Sequence, residues 1–270
     1  MSYFESFLAQ QFDDYMVYRH QLGYDTDSLR WVLKTVDRYL AAHNAGPNDL
    51  TPAFFLSLRA NLRTQYKSIN RVMSTTRMFF NYLLRIQYCK HNPLKDIPLL
   101  PEERFIPFIF APAQIDALLD AVCRRLRPNA GHFVKDLGIY VAILLLARCG
   151  MRICEPLRLK RHHFRNDDNT LYIEKTKFKK DRLIPIPKAL AAEITNYLAV
   201  RHTLWATDAN PYLLAAGKQK AFYDGLIRRY FHQAVSDIGL KRPRQSIGNT
   251  NIGSPTPHSL RHSFAVNTLK

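Results

Sequence analysis

In the run Pro257-His258-Ser259-Leu260-Arg261-His262, a histidine and an arginine stand three residues apart. That spacing makes them neighbours on one face of a helix. Thr256 followed by Pro257 reads as an N-cap and a first helical residue, the position that tolerates a missing N–H. His258 then falls in the first turn, where unpaired backbone N–H groups favour an anion. A proton-transfer group, a permanent cation and a helix N-terminus converge, a combination suited to a phosphodiester. Two more basic clusters share this half of the chain. In Ala147 to Leu157 an apolar helix is expected to stop at Gly150 and a new one to carry Arg152 and Glu155. Lys175-Thr176-Lys177-Phe178-Lys179-Lys180-Asp181-Arg182 reads as the tip of a hairpin. These residue types fit phosphoryl transfer without a metal. Arginine forks match phosphate oxygens, and a lysine of lowered pKa can protonate a departing oxygen. A histidine can take a proton from an attacking hydroxyl near neutral pH. Charge stabilisation at the pentavalent phosphorus would be the dominant electrostatic effect.

The elements that must position these groups are mostly helical. Phe4, Leu8, Phe12, Tyr15 and Met16 recur at helical spacing, as do Leu29, Val32, Leu33, Val36 and Leu40 after Asp25-Thr26-Asp27. Gly46-Pro47 breaks the pattern and Thr51-Pro52 opens a third helix. A fourth is predicted from Ser68 to Ile86, with Val72, Met73, Met78, Phe79, Leu83 and Leu84 inward. Arg59, Arg63, Lys67, Arg71 and Arg77 are expected outside, as a solvated face or a face that grips a polyanion. The proline-rich stretch from Pro98 to Pro112 reads as a linker. Helices are then predicted over residues 113–126, 133–149, 188–204 and 218–238, and short strands at 171–173 and 183–186. Residues 241–257 read as a surface loop.

The chain has 270 residues, enough for about two domains. Its 39 Lys+Arg against 22 Asp+Glu give a formal net charge of +17, an argument about partners rather than fold. Nucleic acid is the leading partner, because neutralising phosphates releases counterions. An anionic membrane surface is the rival, but no basic amphipathic helix without a buried role is evident. The longest apolar run, Leu137 to Ala147, is too short to span a bilayer and reads as a buried helix. The four cysteines form no CxxC pair and no signal peptide is read at the N-terminus, so reduced thiols and a cytoplasmic, nucleoid-associated setting are expected.

Three motifs together resemble the tyrosine recombinase (phage integrase) family. The Gly150–Leu157 region with Arg152 and Glu155 is similar to its G-x-R-x-x-E-x-x-x-L box. The hairpin leading to Arg182-Leu183-Ile184-Pro185 is similar to its G-K-G-x-K-x-R-x-V-P segment, with Thr176 and Phe178 in place of the glycines. Pro257 to Ala265 resembles its H-x-L-R-H-x-F-A box. The order of the motifs fits, and so does a helical N-terminal region followed by a proline-rich linker. The resemblance implies a mainly α fold of the DNA breaking-rejoining type. Residues 1–100 would form a helical core-DNA-binding (SAM-like) domain and 101–112 a linker. Residues 113–270 would form a mostly helical catalytic domain with a small antiparallel sheet, incomplete at its C-terminus.

By position, the resemblance implies that Arg152 and Arg261 hold the scissile phosphate and His258 assists proton transfer. Lys177 would protonate the leaving 5′ oxygen, with Lys175, Lys179 and Lys180 as alternatives. Glu155 and His262 would support the site. Arg59, Arg63, Lys67, Arg71, Arg77, Lys179 and Lys180 are the candidate DNA contacts. No cofactor and no metal is implied; the partners are double-stranded DNA and, for the complete family protein, a tetramer on two DNA sites. In the family a tyrosine hydroxyl attacks DNA to give a 3′-phosphotyrosine. No tyrosine follows Arg261, and Tyr230, the last in the chain, reads as a packing residue. The expectation is a chain that binds DNA without cleaving it alone.

Two other classes compete. One is a non-catalytic DNA-binding protein or regulator derived from the fold. The other is a metal-dependent nuclease, which needs clustered carboxylates; Asp167-Asp168 lies in a predicted turn, and His162-His163 offers no second ligand pair at useful spacing.

Overall fold

A computed structural model describes residues 3–174, 180–205, 207–217 and 220–269. The chain divides into two compact units, Met1–Glu102 and Glu103–Lys270.

The first unit is helical: α1 (Ala9–Gln21), α2 (Asp27–Ala42), α3 (Pro52–Asn61) and α4 (Tyr66–Arg85). Its core joins Leu8, Phe12, Val32, Leu33, Leu40, Phe55, Phe79 and Leu83, residues of 3.6-period stripes that only a packed bundle can bury. Thr51 caps α3 through its side chain, which accepts the Phe54 N–H, and Pro52 takes the first turn, as the sequence predicts. Met78, expected inward, is 44% exposed; Phe80 takes the inward place. Phe79-Phe80 together fill the width of the α4 stripe, leaving Met78 on the opposite side. Arg77 departs from expectation too. It is half-buried, with Nε donating to the Leu94 carbonyl at 2.9 Å and Nη2 to that of Ile97. It thereby adds side-chain donors to the carbonyls of the loop after α4, among them that of Leu94, which also accepts the Ile97 N–H.

The second unit begins within the expected linker. Arg104–Ile106 form β1, which pairs in parallel with β8 (Thr250–Ile252); β8 pairs antiparallel with β7 (Gln245–Ile247). The residues read as a linker and the residues read as a surface loop thus build one sheet. Phe110, at the end of that segment, is fully buried. A three-residue strand whose partner lies far along the chain leaves no local periodicity to read, which is why the sequence shows only prolines there.

The rest follows the expected order: α5 (Pro112–Cys123), α6 (Ala130–Cys149), α7 (Cys154–Arg158), then an antiparallel sheet of β2 (Phe164–Arg165), β3 (Thr170–Ile173) and β4 (Arg182–Pro185). After α8 (Lys188–Leu204) come the short pair β5 (Ala215–Gly217) and β6 (Lys220–Ala221), α9 (Asp224–Asp237) and α10 (Pro257–Thr268). The helix expected over 218–238 is therefore shorter, its first turns replaced by β6. At 20 residues α6 is long and apolar enough to cross a bilayer by length and composition. It is instead the axis of this core. Most side chains from Val134 to Ala147 are buried against α5, α8, α9 and α10. The buried Asp136 carboxylate on α6 takes a bidentate pair of hydrogen bonds from Arg127, both at 2.8 Å.

Candidate phosphate-binding site

The site forms where the C-terminus of α6 meets the N-terminus of α10. Helix α6 stops at Gly150, which adopts φ +57°, a left-handed conformation that glycine reaches without steric penalty. A Cβ at this position would stand 2.5 Å from Cδ1 of Phe264 on α10. The bare backbone therefore lets α10 lie directly against the turn. The Gly150 carbonyl, freed by the end of the helix, accepts a hydrogen bond from Nη1 of Arg261 at 2.5 Å. Arg152 follows two residues later.

Helix α10 starts as predicted, with Thr256 extended and Pro257 in the first turn. Ser259 Oγ accepts the Thr256 N–H at 3.1 Å, and Leu260 is wholly buried. Ser263 Oγ accepts the Phe110 N–H at 2.7 Å and donates to the Ser259 carbonyl at 2.7 Å. These contacts pin one face of α10, so His258, Arg261 and His262 must occupy the other. The His258 and His262 rings meet edge to face with centroids 4.6 Å apart.

The buried Glu155 carboxylate organises the arginines. Oε2 accepts the Arg152 N–H at 2.7 Å and Nη2 of Arg182 at 2.8 Å, while Oε1 accepts Nη1 of Arg152 at 2.9 Å. A buried carboxylate needs such compensation. Both guanidinium groups remain about one-third exposed, so each keeps donors for an incoming anion. Arg182 lies at the first position of β4, opposite Ile173, and ties the hairpin to Glu155. Sequence reasoning placed Arg182 in the family segment but gave it no role. The signal was the isolated acid in a basic region, which requires more than one cation.

The cations act on one another. The His258 ring keeps contact with solvent, yet partial desolvation holds its pKa below the ordinary histidine value, and His262, Arg261, Arg152 and Arg228 push in the same direction. Arg261 is also lowered, by desolvation first and then by Arg152 and Arg182, against the attraction of Glu155. Such concentrated positive charge in a half-exposed hollow is relieved by binding an anion. Neutral His258 can accept a proton there. Arg228, on α9, was not singled out by the sequence.

Lys175, Lys177 and Lys179 lie outside the described residues; Lys180, two residues before β4, is exposed. In the first unit, Arg63, Lys67 and Arg71 are exposed, with Lys67 and Arg71 one turn apart on α4. Arg59 is half-buried and donates to the Pro98 carbonyl at 3.0 Å. Tyr230 is occupied elsewhere: its hydroxyl donates to Asp136 Oδ1 at 3.2 Å, and burial followed by the Asp136 charge raises its pKa. Along α6, residue 136 is about 21 Å from residue 150 at 1.5 Å per residue.

Among the described residues, His162, His163 and Glu174 place ligand-type atoms within 4.8 Å of one another. The buried His163 accepts the Lys160 N–H on Nδ1 at 3.1 Å. The proton of the neutral ring is then on Nε2, 3.4 Å from Glu174 Oε1. A cation would need that nitrogen's lone pair; as held, the histidine serves its own turn through Nδ1, while Nε2 is buried without a hydrogen bond among the described residues. Burial holds its pKa low. The Cys149 thiol beside the site is pushed up to about 12 by burial and is chemically quiet.

Several known proteins are similar to this chain. A protein of Sinorhizobium fredii named "Putative integrase/recombinase y4rE" is 29% identical over 276 residues, covering 100% of this chain and 83% of its own length. Tyrosine recombinase XerC of Alcanivorax borkumensis is 29% identical over 217 residues, covering 79% of this chain and 65% of its own length. A lambda integrase in a dimer bound to a COC′ core site superposes with a TM-score of 0.65 at 16% identity, over 96% of this chain and 69% of that one, a likeness of fold. The sequence pattern of the phage integrase family matches residues 109–270, which include Arg152, Glu155, His258 and Arg261. The chain belongs to the phage integrase family, the tyrosine recombinases.

Proposed function

We propose that this chain takes part in site-specific DNA recombination by the phosphotyrosine route, acting on double-stranded DNA in the cytoplasm, at the nucleoid. The observation that carries the reading is the docking of Arg261 onto the Gly150 carbonyl, beside Arg152 and under the shared charge of Glu155. Arg152 and Arg261 hold the non-bridging oxygens of the scissile phosphate. A tyrosine hydroxyl attacks phosphorus and His258 takes up its proton. The bond to the 5′ oxygen breaks, and that oxygen receives a proton from Lys177. The product is a 3′-phosphotyrosine and a free 5′ hydroxyl, so the bond energy is kept for rejoining. Glu155 orients the arginines, and His262 supports His258. No metal or other cofactor enters these steps.

Residues 1–270 bind duplex DNA through backbone contacts, with Arg63, Lys67, Arg71, Lys179 and Lys180 contributing, while Arg59 and Arg77 are committed to loop carbonyls. With Tyr230 held by Asp136, these residues by themselves form no covalent link. The tyrosine comes from outside them, for instance from a neighbouring subunit. Self-association on DNA, as a tetramer on two sites, then completes the centre.

Fluorescence anisotropy with a labelled duplex at increasing salt tests this reading. Affinity should fall steeply between about 50 and 200 mM salt, and Arg152→Ala with Arg261→Ala should weaken it. A flat salt response refutes DNA binding through the backbone. Binding that ignores both substitutions and depends only on residues 1–102 favours a DNA-binding module without a reaction centre. A covalent adduct on a nicked suicide duplex refutes the inactivity of these residues alone.

A further inference from the structure

A second cationic hollow lies in the same unit, apart from the Glu155 cluster. It has a volume of about 510 Å³ and is bounded by Arg229, His232 and Gln233 of α9, Lys241 and Arg242 after that helix, and Ser254 before α10. No carboxylate lines it. Several other cations of this unit are matched: Arg125 with Asp237, Arg127 with Asp136, Arg148 with Asp116, Arg201 with Asp208, and Arg228 with Asp224. Arg229, Lys241 and Arg242 have no carboxylate within 4.0 Å among the described residues, and Arg229 rests only against the Tyr230 ring. Three like charges left around one hollow repel one another unless an anion enters.

Position says which anion. Ser254 is four residues before His258, a span of at most about 14 Å of extended chain. Arg228, the neighbour of Arg229 on α9, acts on His258 itself. The hollow therefore adjoins the phosphate-binding site. Along one strand of a duplex, phosphates advance about 3.4 Å each, so about four nucleotides cover the distance.

We propose that Arg229, Lys241 and Arg242 form a subsite for backbone phosphates of the bound duplex, within about four nucleotides of the phosphate held by Arg152 and Arg261. This rests on the reading of the chain as a DNA-binding protein. The subsite gives register along the strand, because a phosphate held here limits which phosphate reaches His258. Ser254 and Gln233 add neutral donors.

The test is the salt dependence of duplex binding by the triple variant Arg229→Ala/Lys241→Ala/Arg242→Ala, set against wild type and the Arg229→Lys/Arg242→Lys variant. Each phosphate contact contributes about 3.5-fold to the loss of affinity between 50 and 200 mM salt, from a slope of about −0.9 per phosphate. The triple variant should lose affinity at low salt. Its fall over that range should be shallower by about 12- to 40-fold, the equivalent of two or three contacts. The lysine variant should keep the wild-type slope. All these side chains are exposed, and an unchanged melting curve confirms that the variants are folded. An unchanged slope in a triple variant that still binds DNA overturns the subsite and leaves the proposed function standing. A wild type that does not bind duplex at all refutes the function instead. If the triple substitution abolishes binding of polyglutamate and spares the duplex, the hollow takes an acidic polypeptide and the proposal fails.

Discussion

Replacing Gly150 by alanine tests how the site is assembled, because one methyl group acts in two separable ways. The first is backbone strain. At φ +57° an L-residue with a side chain is disfavoured by about 1–2 kcal/mol. The second is the collision with Phe264, whose Cδ1 would be 2.5 Å and Cγ 3.0 Å from the new Cβ. Phe264 is half-buried on α10, and α10 is fastened by Leu260 and by the Ser263 bond to Phe110, so the ring has little freedom to retreat. Overpacking of this kind costs about 1–3 kcal/mol. The sum, about 2–5 kcal/mol, should lower the melting temperature of the second unit by about 4–20 °C at 2–4 °C per kcal/mol. Differential scanning calorimetry reads this directly. Adding Phe264→Leu should recover the packing share and leave the backbone share. If Gly150→Ala melts with wild type, or Phe264→Leu recovers nothing, the docking of α10 on the α6 turn is not what holds Arg261 beside Arg152. In the same variant, duplex affinity should drop further than stability alone explains, because a displaced α10 breaks the Arg261 bond to the Gly150 carbonyl.

Other perturbations have defined outcomes. Glu155→Gln removes the charge that Arg152 and Arg182 share; breaking a buried pair costs about 3–5 kcal/mol, which the partial exposure of both arginines reduces to about 1–3 kcal/mol, measurable by urea unfolding. Asp136 has a folded pKa below the ordinary aspartate value: burial acts upward, but the hydrogen bonds from Arg127 and Tyr230 outweigh it. Its stabilisation is therefore complete above the unfolded value of about 3.9 and is lost as pH falls through the folded value. Asp136→Asn should flatten the acid limb of a pH–stability curve below about pH 4, and an unaltered limb would refute the assignment. His258, lowered in the free protein, should take up a proton as an anion binds. Duplex affinity should then rise several-fold as pH falls below about 6.5, and His258→Gln should remove that rise while sparing affinity at pH 8.

Much of the site was legible because its chemistry is written in short segments. Thr256-Pro257 announces a helix start, Gly150 a helix stop, and His258 with Arg261 a shared helix face; each depends on neighbours within one or two turns. The bundle of the first unit was legible for the same reason, apart from which residues of Met78-Phe79-Phe80 point inward. Local pattern says nothing about partners far along the chain. The strand at Arg104–Ile106 exists only because residues 250–252 lie beside it, and Arg77 looks like a surface cation until the loop carbonyls of Leu94 and Ile97 arrive to use it. Arg182 joins the arginine pair only once the hairpin folds onto α7 and offers it Glu155. The amino-acid sequence alone thus determined which groups could bind phosphate and which helices carry them. Tertiary structure decided that Arg261 and Gly150, 111 residues apart, touch at all. Periodicity and capping are set by bonds between near neighbours, whereas convergence of distant side chains is set by how whole helices bury their apolar faces.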